Sequence, residues 1–209
     1  MNIAIFASGG GSNAEVIINN LSNFISNSEG CIKLILTNNK NAGVLQIARN
    51  ANIDSETVSL KDKAENEAAE IYATTLQKHQ IDFVVLAGYL KKIPLGLIKL
   101  FPQKIINIHP SLLPAYGGAG MYGARVHEAV VAAGEKQSGI TIHFVDEIYD
   151  HGKIIFQARC DLAKDETALS LAKKVLALEH ENYTRVVGEV LKDYHKDLKA
   201  EKDTNEKLS

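Results

Sequence analysis

The sequence predicts an α/β protein built on an open, mostly parallel sheet with helices on both faces and antiparallel strands in its C-terminal part. Three observations predict it. Short apolar runs without polar alternation recur at the start of the chain, the pattern of strands buried on both faces. Segments with helical apolar spacing separate those runs, so successive strands run parallel. After residue 135 two apolar runs are joined by only five residues, "IYDHG", a connection short enough for an antiparallel pair.

Taken in order, "NIAIFA" at 2–7 is a buried strand. "GGGSN" follows, and then a helix with apolar residues at Val16, Ile17, Leu21 and Ile25. "IKLILT" at 32–37 is the second strand, 42–51 a helix, and Glu56–Ser59 a brief third strand. "KAENEAAEIYATTLQKHQ" is rich in Ala, Glu and Lys, good helix formers. "DFVVLAG" and "KIINIH" are buried strands. Residues 110–123, with Pro110, Pro114 and four glycines, form a long loop of the kind that tends to be functional. "ARVHEAVVAAG" is a helix ended by Gly134. "GITIHFVDE" and "KIIFQARCDL" are the antiparallel strands, and a long helix spans about 167–192. The whole is a Rossmann-like arrangement. Without an internal repeat or a linker, 1–192 reads as a single domain, and 193–209 as a polar, flexible tail.

Composition narrows the function classes. The chain has 209 residues, 45% apolar and 23% charged, with a net charge of −2. That is enough chain for a core without disulfides, and it offers no basic field for nucleic acid or an anionic membrane. Cys31 and Cys160 stand alone, so neither a disulfide framework nor a cysteine metal site is expected. They suit a reducing, cytoplasmic setting. The N-terminus has no signal-peptide pattern and no window approaches a membrane span.

Two sites carry chemistry. "ASGGGSNAEVI" lies between the first strand and the first helix, where backbone N–H groups and a helix N-terminus attract anions. It lacks the Gly-Lys-Ser/Thr of a Walker loop. Gly9, Gly11 and Ala14 fit a dinucleotide fingerprint, but the second strand ends in Asn38 and Asn39 instead of an acid for the ribose. A phosphate monoester is the better ligand, and a tight turn needing only positive φ is the plain structural alternative.

The second site is "IINIHPSLLPAYGG". Asn107 and His109 are two apart on a strand and share a face, at the carboxyl end where open α/β sheets bind ligands. An amide and an imidazolium there can donate to one oxyanion, and a histidine can move a proton near neutral pH. Asp146, Glu147 and Asp150 are possible partners for the imidazole. Spacing leaves all three open, and the turn position favours Asp150. His143 and His151 match no metal-ligand spacing, and His143 reads as an ordinary strand residue; His127 reads as structural too. Glu179 falls inside an apolar stripe made by Ala172, Val175, Leu176, Tyr183, Val186, Val187 and Val190. A carboxylate there needs an ion pair or a ligand.

"MNIAIFASGGGSN", "VVLAGYL", "INIHPSLLPAYGG", "GITIHFVDEIYDHGKII" and "LEH" resemble the folate-dependent formyltransferases, and within them the short bacterial phosphoribosylglycinamide formyltransferases, over about residues 1–190. The resemblance implies the formyltransferase fold and formyl transfer from 10-formyltetrahydrofolate to the amine of 5-phosphoribosylglycinamide in purine biosynthesis, without a metal. It implies Asn107, His109 and Asp150 as catalytic residues, and Gly11, Ser12, Asn13 and Glu179 as contacts for the ribonucleotide. It implies Leu90, Lys91, Lys92 and Ile93, with Asn107, as the folate side. Lys91 stands where an arginine is common, and Ala119 where relatives carry lysine. The implied partners are small molecules, not nucleic acid or membrane; oligomeric state is left open.

Rival readings are formyltetrahydrofolate deformylase, which shares the Asn-His-Asp set and usually has an N-terminal regulatory domain, and methionyl-tRNA formyltransferase, which usually adds a C-terminal RNA-binding domain. Neither extra domain is expected here. A non-enzymatic nucleotide-binding module would keep the glycine loop but has no use for Asn107 and His109 on one face.

Overall fold

The structure, a computed structural model, describes residues 1–26 and 29–206, the segment from 198 on as backbone only. Seven strands make one sheet: β1 (Asn2–Phe6), β2 (Cys31–Thr37), β3 (Asp54–Thr57), β4 (Phe83–Leu86), β5 (Ile105–His109), β6 (Gln137–Phe144) and β7 (Ile154–Asp161). Their order is β3-β2-β1-β4-β5-β6-β7. The first five run parallel, while β5–β6 and β6–β7 pair antiparallel. The α/β expectation and the switch to antiparallel pairing after residue 135 are both met.

The strands are buried on both faces, which explains their continuous apolar runs. Ile3, Ile5, Val85, Ile106 and Ile108 belong to one core, with Ile17 and Val44 from α1 (Ser12–Asn20) and α2 (Val44–Asn50). Val126 and Val130 of α5 (Ala124–Ala132), and Val175, Tyr183 and Val187 of α6 (Ala168–Glu206), complete it. Ala4, Phe6, Leu34, Leu36, Val84 and Leu86 point the other way. They pack with Tyr72 and Leu76 of α3 (Glu65–Lys78) and Leu97 of α4 (Leu95–Leu100). The hydroxyl of Tyr183 donates to the Leu86 carbonyl at 2.8 Å, tying α6 to the end of β4.

Several boundaries differ from the sequence reading. The third strand sits two residues earlier, because Leu34–Thr37 of β2 pair with Asp54–Thr57. α4 was not expected: its six residues span less than two helical turns, too short for periodicity to show. α6 continues to Glu206, past the boundary expected at 192, because Lys, Glu and Ala favour helix even where no apolar face continues. The tail expected at 193–209 is therefore helical as far as it is described, and 207–209 lie outside the described residues. Leu176, placed in the apolar stripe, is 39% exposed and turns toward the cleft described below.

Chain order reverses between β1 and β4. From β1 the chain steps outward to β2 and β3, then returns to lay β4 on the other flank of β1. Such a switch point opens a crevice beyond the carboxyl ends of the strands. Two glycines let the antiparallel part close against it. A Cβ on Gly139 would lie 1.9 Å from the Ala158 carbonyl oxygen, and one on Gly152 would lie 1.8 Å from that of Phe144. Both obstacles are backbone of a paired strand and cannot step aside. Gly139→Ala is therefore expected to lower stability by about 3 kcal/mol, the upper range for overpacking, read as a shift in the urea midpoint. A midpoint within about 0.5 kcal/mol of the unsubstituted chain would contradict the close strand approach.

Candidate active site

The crevice is a cleft of about 490 Å³. Its walls come from four places: Asn13 on α1, Gly88–Ile93 after β4, Asn107–Pro110 at the end of β5, and His143 with Val145–Asp150 after β6. Gly118, Gly120–Ala124 and, on α6, Ala172, Val175, Leu176 and Glu179 close it.

Asn107 and His109 share a face, as the strand period requires. The antiparallel register sets His143 directly opposite Asn107. Cross-strand neighbours are close enough to bond, and Asn107 Nδ2 lies 3.1 Å from His143 Nε2. The other ring nitrogen, Nδ1, lies 2.8 Å from the Phe144 carbonyl oxygen, which can only accept, so Nδ1 carries the hydrogen. Burial holds the His143 imidazole below its ordinary pKa and keeps it neutral, outweighing the pull of Asp150 at 3.7 Å. Nε2 is then a lone pair, and Asn107 must present its NH2 group to it. One amide N–H is spent on His143. The second is left for a bound molecule.

His109 is fixed in a similar way. Its Nε2 donates to the Tyr116 carbonyl at 2.8 Å, so the loop after β5 turns back and sets the ring. Nδ1 faces Asp150 Oδ2 at 3.5 Å. Of the three acids left open by spacing, the structure brings Asp150 to the imidazole, while Asp146 faces His151 at 3.3 Å on the surface. Asp150 reaches this position from a left-handed backbone (φ 56°), a conformation in which Asp is enriched. Gly118 N–H donates to Oδ2 at 2.9 Å and anchors the carboxylate. His127 on α5 also lines the cleft. Its ring is buried, its Nδ1 has no protein partner, and burial, then the charge of His109, hold it below the ordinary histidine value.

At the other end of the cleft, Asn13 Nδ2 donates to Glu179 Oε2 at 2.6 Å, joining α1 to α6. This answers the question raised by an acid on an apolar stripe: its protein partner is an amide. Burial raises the Glu179 pKa, partly offset by the Asn13 bond. Asn13 Oδ1 is buried without a partner. Gly11 precedes α1 in a left-handed conformation (φ 85°), and a Cβ there would lie 2.7 Å from the Val44 side chain. Asn13 lines the cleft, whereas Gly11 and Ser12 sit beside it without lining it. Leu90, Lys91 and Lys92 are exposed along one wall and Ile93 is buried behind them. Leu90 joins Tyr122, Ile148, Tyr149 and Leu176 in an exposed apolar rim. No group of three or more His, Cys, Asp or Glu suited to a metal ion occurs among the described residues.

The sequence reading passed over His143 and His127. For His143 a signal was present: once the two strands are paired in register, it must face Asn107. His127 leaves no comparable trace, because a histidine on the buried face of a helix looks like any core residue.

Fold and cleft together define a class: an open α/β sheet whose switch-point crevice holds an amide, an imidazole and a carboxylate around one point. Known proteins narrow it. A family profile described as formyl transferase matches residues 1–187, and the chain belongs to that family. The phosphoribosylglycinamide formyltransferase of Bacillus subtilis is 36% identical over 191 residues, covering 90% of this chain and 93% of that protein. The chloroplastic phosphoribosylglycinamide formyltransferase of Arabidopsis thaliana is 43% identical over 91% of this chain, which spans only 65% of the plant protein. Among solved structures, the phosphoribosylglycinamide formyltransferase of Bacillus halodurans superposes with a TM-score of 0.82 at 35% identity, covering 91% of this chain and 95% of that one.

The two buried histidines set a pH dependence. Both are held below the free value of about 6.5, so the unfolded chain binds more protons than the folded one in the window between the folded values and 6.5. Their contribution to stability is complete above that window and is lost as pH falls through it. Thermal unfolding should show a midpoint that drops as pH falls below about 6.5, and the drop should shrink in a His127→Gln, His143→Gln double variant. An equal drop in both proteins would show that these rings are not buried neutral.

Proposed function

We propose that the chain transfers the formyl group of 10-formyltetrahydrofolate to the amine of 5-phosphoribosylglycinamide, acting within purine biosynthesis. One observation carries the reading: Asn107, His109 and Asp150 converge on a cleft that also reaches Asn13 and the buried Glu179. The reacting centre and a hydroxyl-rich, phosphate-bearing substrate then have separate places. The names of the bacterial and plant relatives point the same way.

The amine nitrogen attacks the formyl carbon, a C–N bond forms, and the carbonyl oxygen takes up negative charge. The free N–H of Asn107 and a protonated His109, through Nδ1, hold that oxyanion. Asp150 balances the imidazolium and accepts the proton lost by the attacking amine, directly or through water. That proton passes on to N10 as the C–N10 bond breaks, so none is consumed overall. Gly11, Ser12 and Asn13 receive the phosphate end of the ribonucleotide, at the start of α1, where first-turn backbone N–H groups without helical partners and the helix dipole favour an anion. Glu179 accepts from a ribose hydroxyl or the substrate amine. The exposed apolar rim suits the flat rings of the folate, and Lys91 and Lys92 suit its carboxylates. Leu90 and Ile93 complete that side, and Asn107 serves both substrates. We assign 1–192 to a single domain acting on small molecules in a reducing, cytoplasmic setting, with 193–209 as a polar extension.

The test follows 10-formyl-5,8-dideazafolate by absorbance, with and without the ribonucleotide. Turnover is expected only with both. Loss of formyl without the ribonucleotide would make the chain a hydrolase instead. Asn107→Ala should lower kcat about 10²–10³-fold, the effect of one oxyanion donor. His143→Ala, which frees the Asn107 amide to rotate, should cost roughly tenfold, the equivalent of one oriented hydrogen bond. His109→Ala and Asp150→Asn should leave a folded protein with almost no turnover. Wild-type rates in either of the last two would sink the mechanism.

A further inference from the structure

Ser8 is the last residue before the glycine loop and is only 8% exposed. Its bonds all lead across the switch-point crevice or away from the loop. Its backbone N–H donates to the Gly88 carbonyl at 3.1 Å. Its hydroxyl accepts the Leu90 N–H at 2.9 Å and donates to Asn38 Oδ1 at 2.5 Å. The hydroxyl has one hydrogen, and Asn38 takes it. The oxygen lone pairs are thereby aimed at Leu90, so the polarity of the bridge is fixed.

The segment it grips is the exposed wall of the cleft. Tyr89 is pinned from below: its hydroxyl meets that of Tyr72 at 2.6 Å and its ring packs edge-on against Phe6 at 5.2 Å. Leu90, Lys91 and Lys92 are exposed. Within this strip, the tie that reaches Leu90 comes from Ser8, across the crevice. We infer that Ser8 is a positioning residue for the folate-side wall: it immediately precedes the loop assigned to one substrate and sets the binding of the other. This rests on the formyl-transfer reading above and adds a residue that does not touch the reacting atoms.

A purely structural serine would move both substrates together or neither. The bridge predicts a split. Ser8→Ala leaves the Leu90 N–H without its acceptor, and one hydrogen bond is worth up to about tenfold in binding. KM for 10-formyl-5,8-dideazafolate should rise about three- to tenfold, with a smaller change in kcat and in KM for the ribonucleotide. The Kd for tetrahydrofolate, read by fluorescence without turnover, should rise in parallel. Ser8→Thr keeps the hydroxyl and should restore both values. Asn38→Leu removes the group that orients the hydroxyl and should raise the folate KM by a lesser factor. This second variant keeps the test open if Ser8→Ala does not fold. An unchanged folate KM in a folded Ser8→Ala, or an equal rise in both KM values, overturns the inference while leaving the transferase reading in place. Absence of ribonucleotide-dependent turnover in the unsubstituted chain overturns that reading and this inference with it.

Discussion

The site depends on the antiparallel register of β5 and β6. That pairing sets His143 opposite Asn107 and carries the chain on to the turn that holds Asp150 beside His109. A slip of one residue would send each side chain of the slipped strand to the other face, and the amide, imidazole and carboxylate would no longer meet. The apolar neighbours prevent the slip. Ile106 and Ile108 of β5, and Ile140 and Ile142 of β6, belong to the core shared with α5 and α6, and burying them fixes which face is left for the polar residues. Packing on one side of the sheet thus determines chemistry on the other.

Within that frame the polar groups set one another's roles. The Phe144 carbonyl decides the tautomer of His143, His143 decides the orientation of the Asn107 amide, and the Tyr116 carbonyl decides which nitrogen of His109 faces Asp150. Burial is what makes the scheme consistent. A charged His143 would have no lone pair for Asn107, and removing water holds the ring neutral. The same physics acts on Glu179, where burial favours the protonated acid and Asn13 opposes it. Burial thus disfavours charge at His127, His143 and Glu179, while the lysines Lys91 and Lys92 stand on the exposed wall of the same cleft.

Much of this was legible in the sequence, for definite reasons. Strands buried on both faces announce themselves as apolar runs. Asn107 and His109 stand out because polar residues interrupt such a run at its end, and Glu179 because a carboxylate breaks a helical stripe. What stayed hidden depends on pairing between distant segments. His143 looks like a strand residue until its partner strand is known, and Ser8 looks like part of a glycine loop until Leu90 is seen to bond to it. The choice of Asp150 over Asp146 needed the left-handed turn that brings one to His109 and leaves the other facing His151. α4 is too short for periodicity, and the end of α6 is set by residue preference with no apolar stripe to mark it.

The order of the strands also bears on how the molecule acquires its site in time. β1 to β4, with their helices, make a parallel unit whose two faces are already apolar. Asn107, His109, His143 and Asp150 all lie on β5 or later in the chain, and Tyr116 and Gly118, which hold two of them, belong to the loop between β5 and α5. During folding or synthesis, the crevice can gain its glycine loop well before it gains any reactive group. Helix and sheet content would then return ahead of catalytic competence. Glu179, on the last helix, joins Asn13 only when α6 docks, so the place for the ribonucleotide is completed from the far end of the chain.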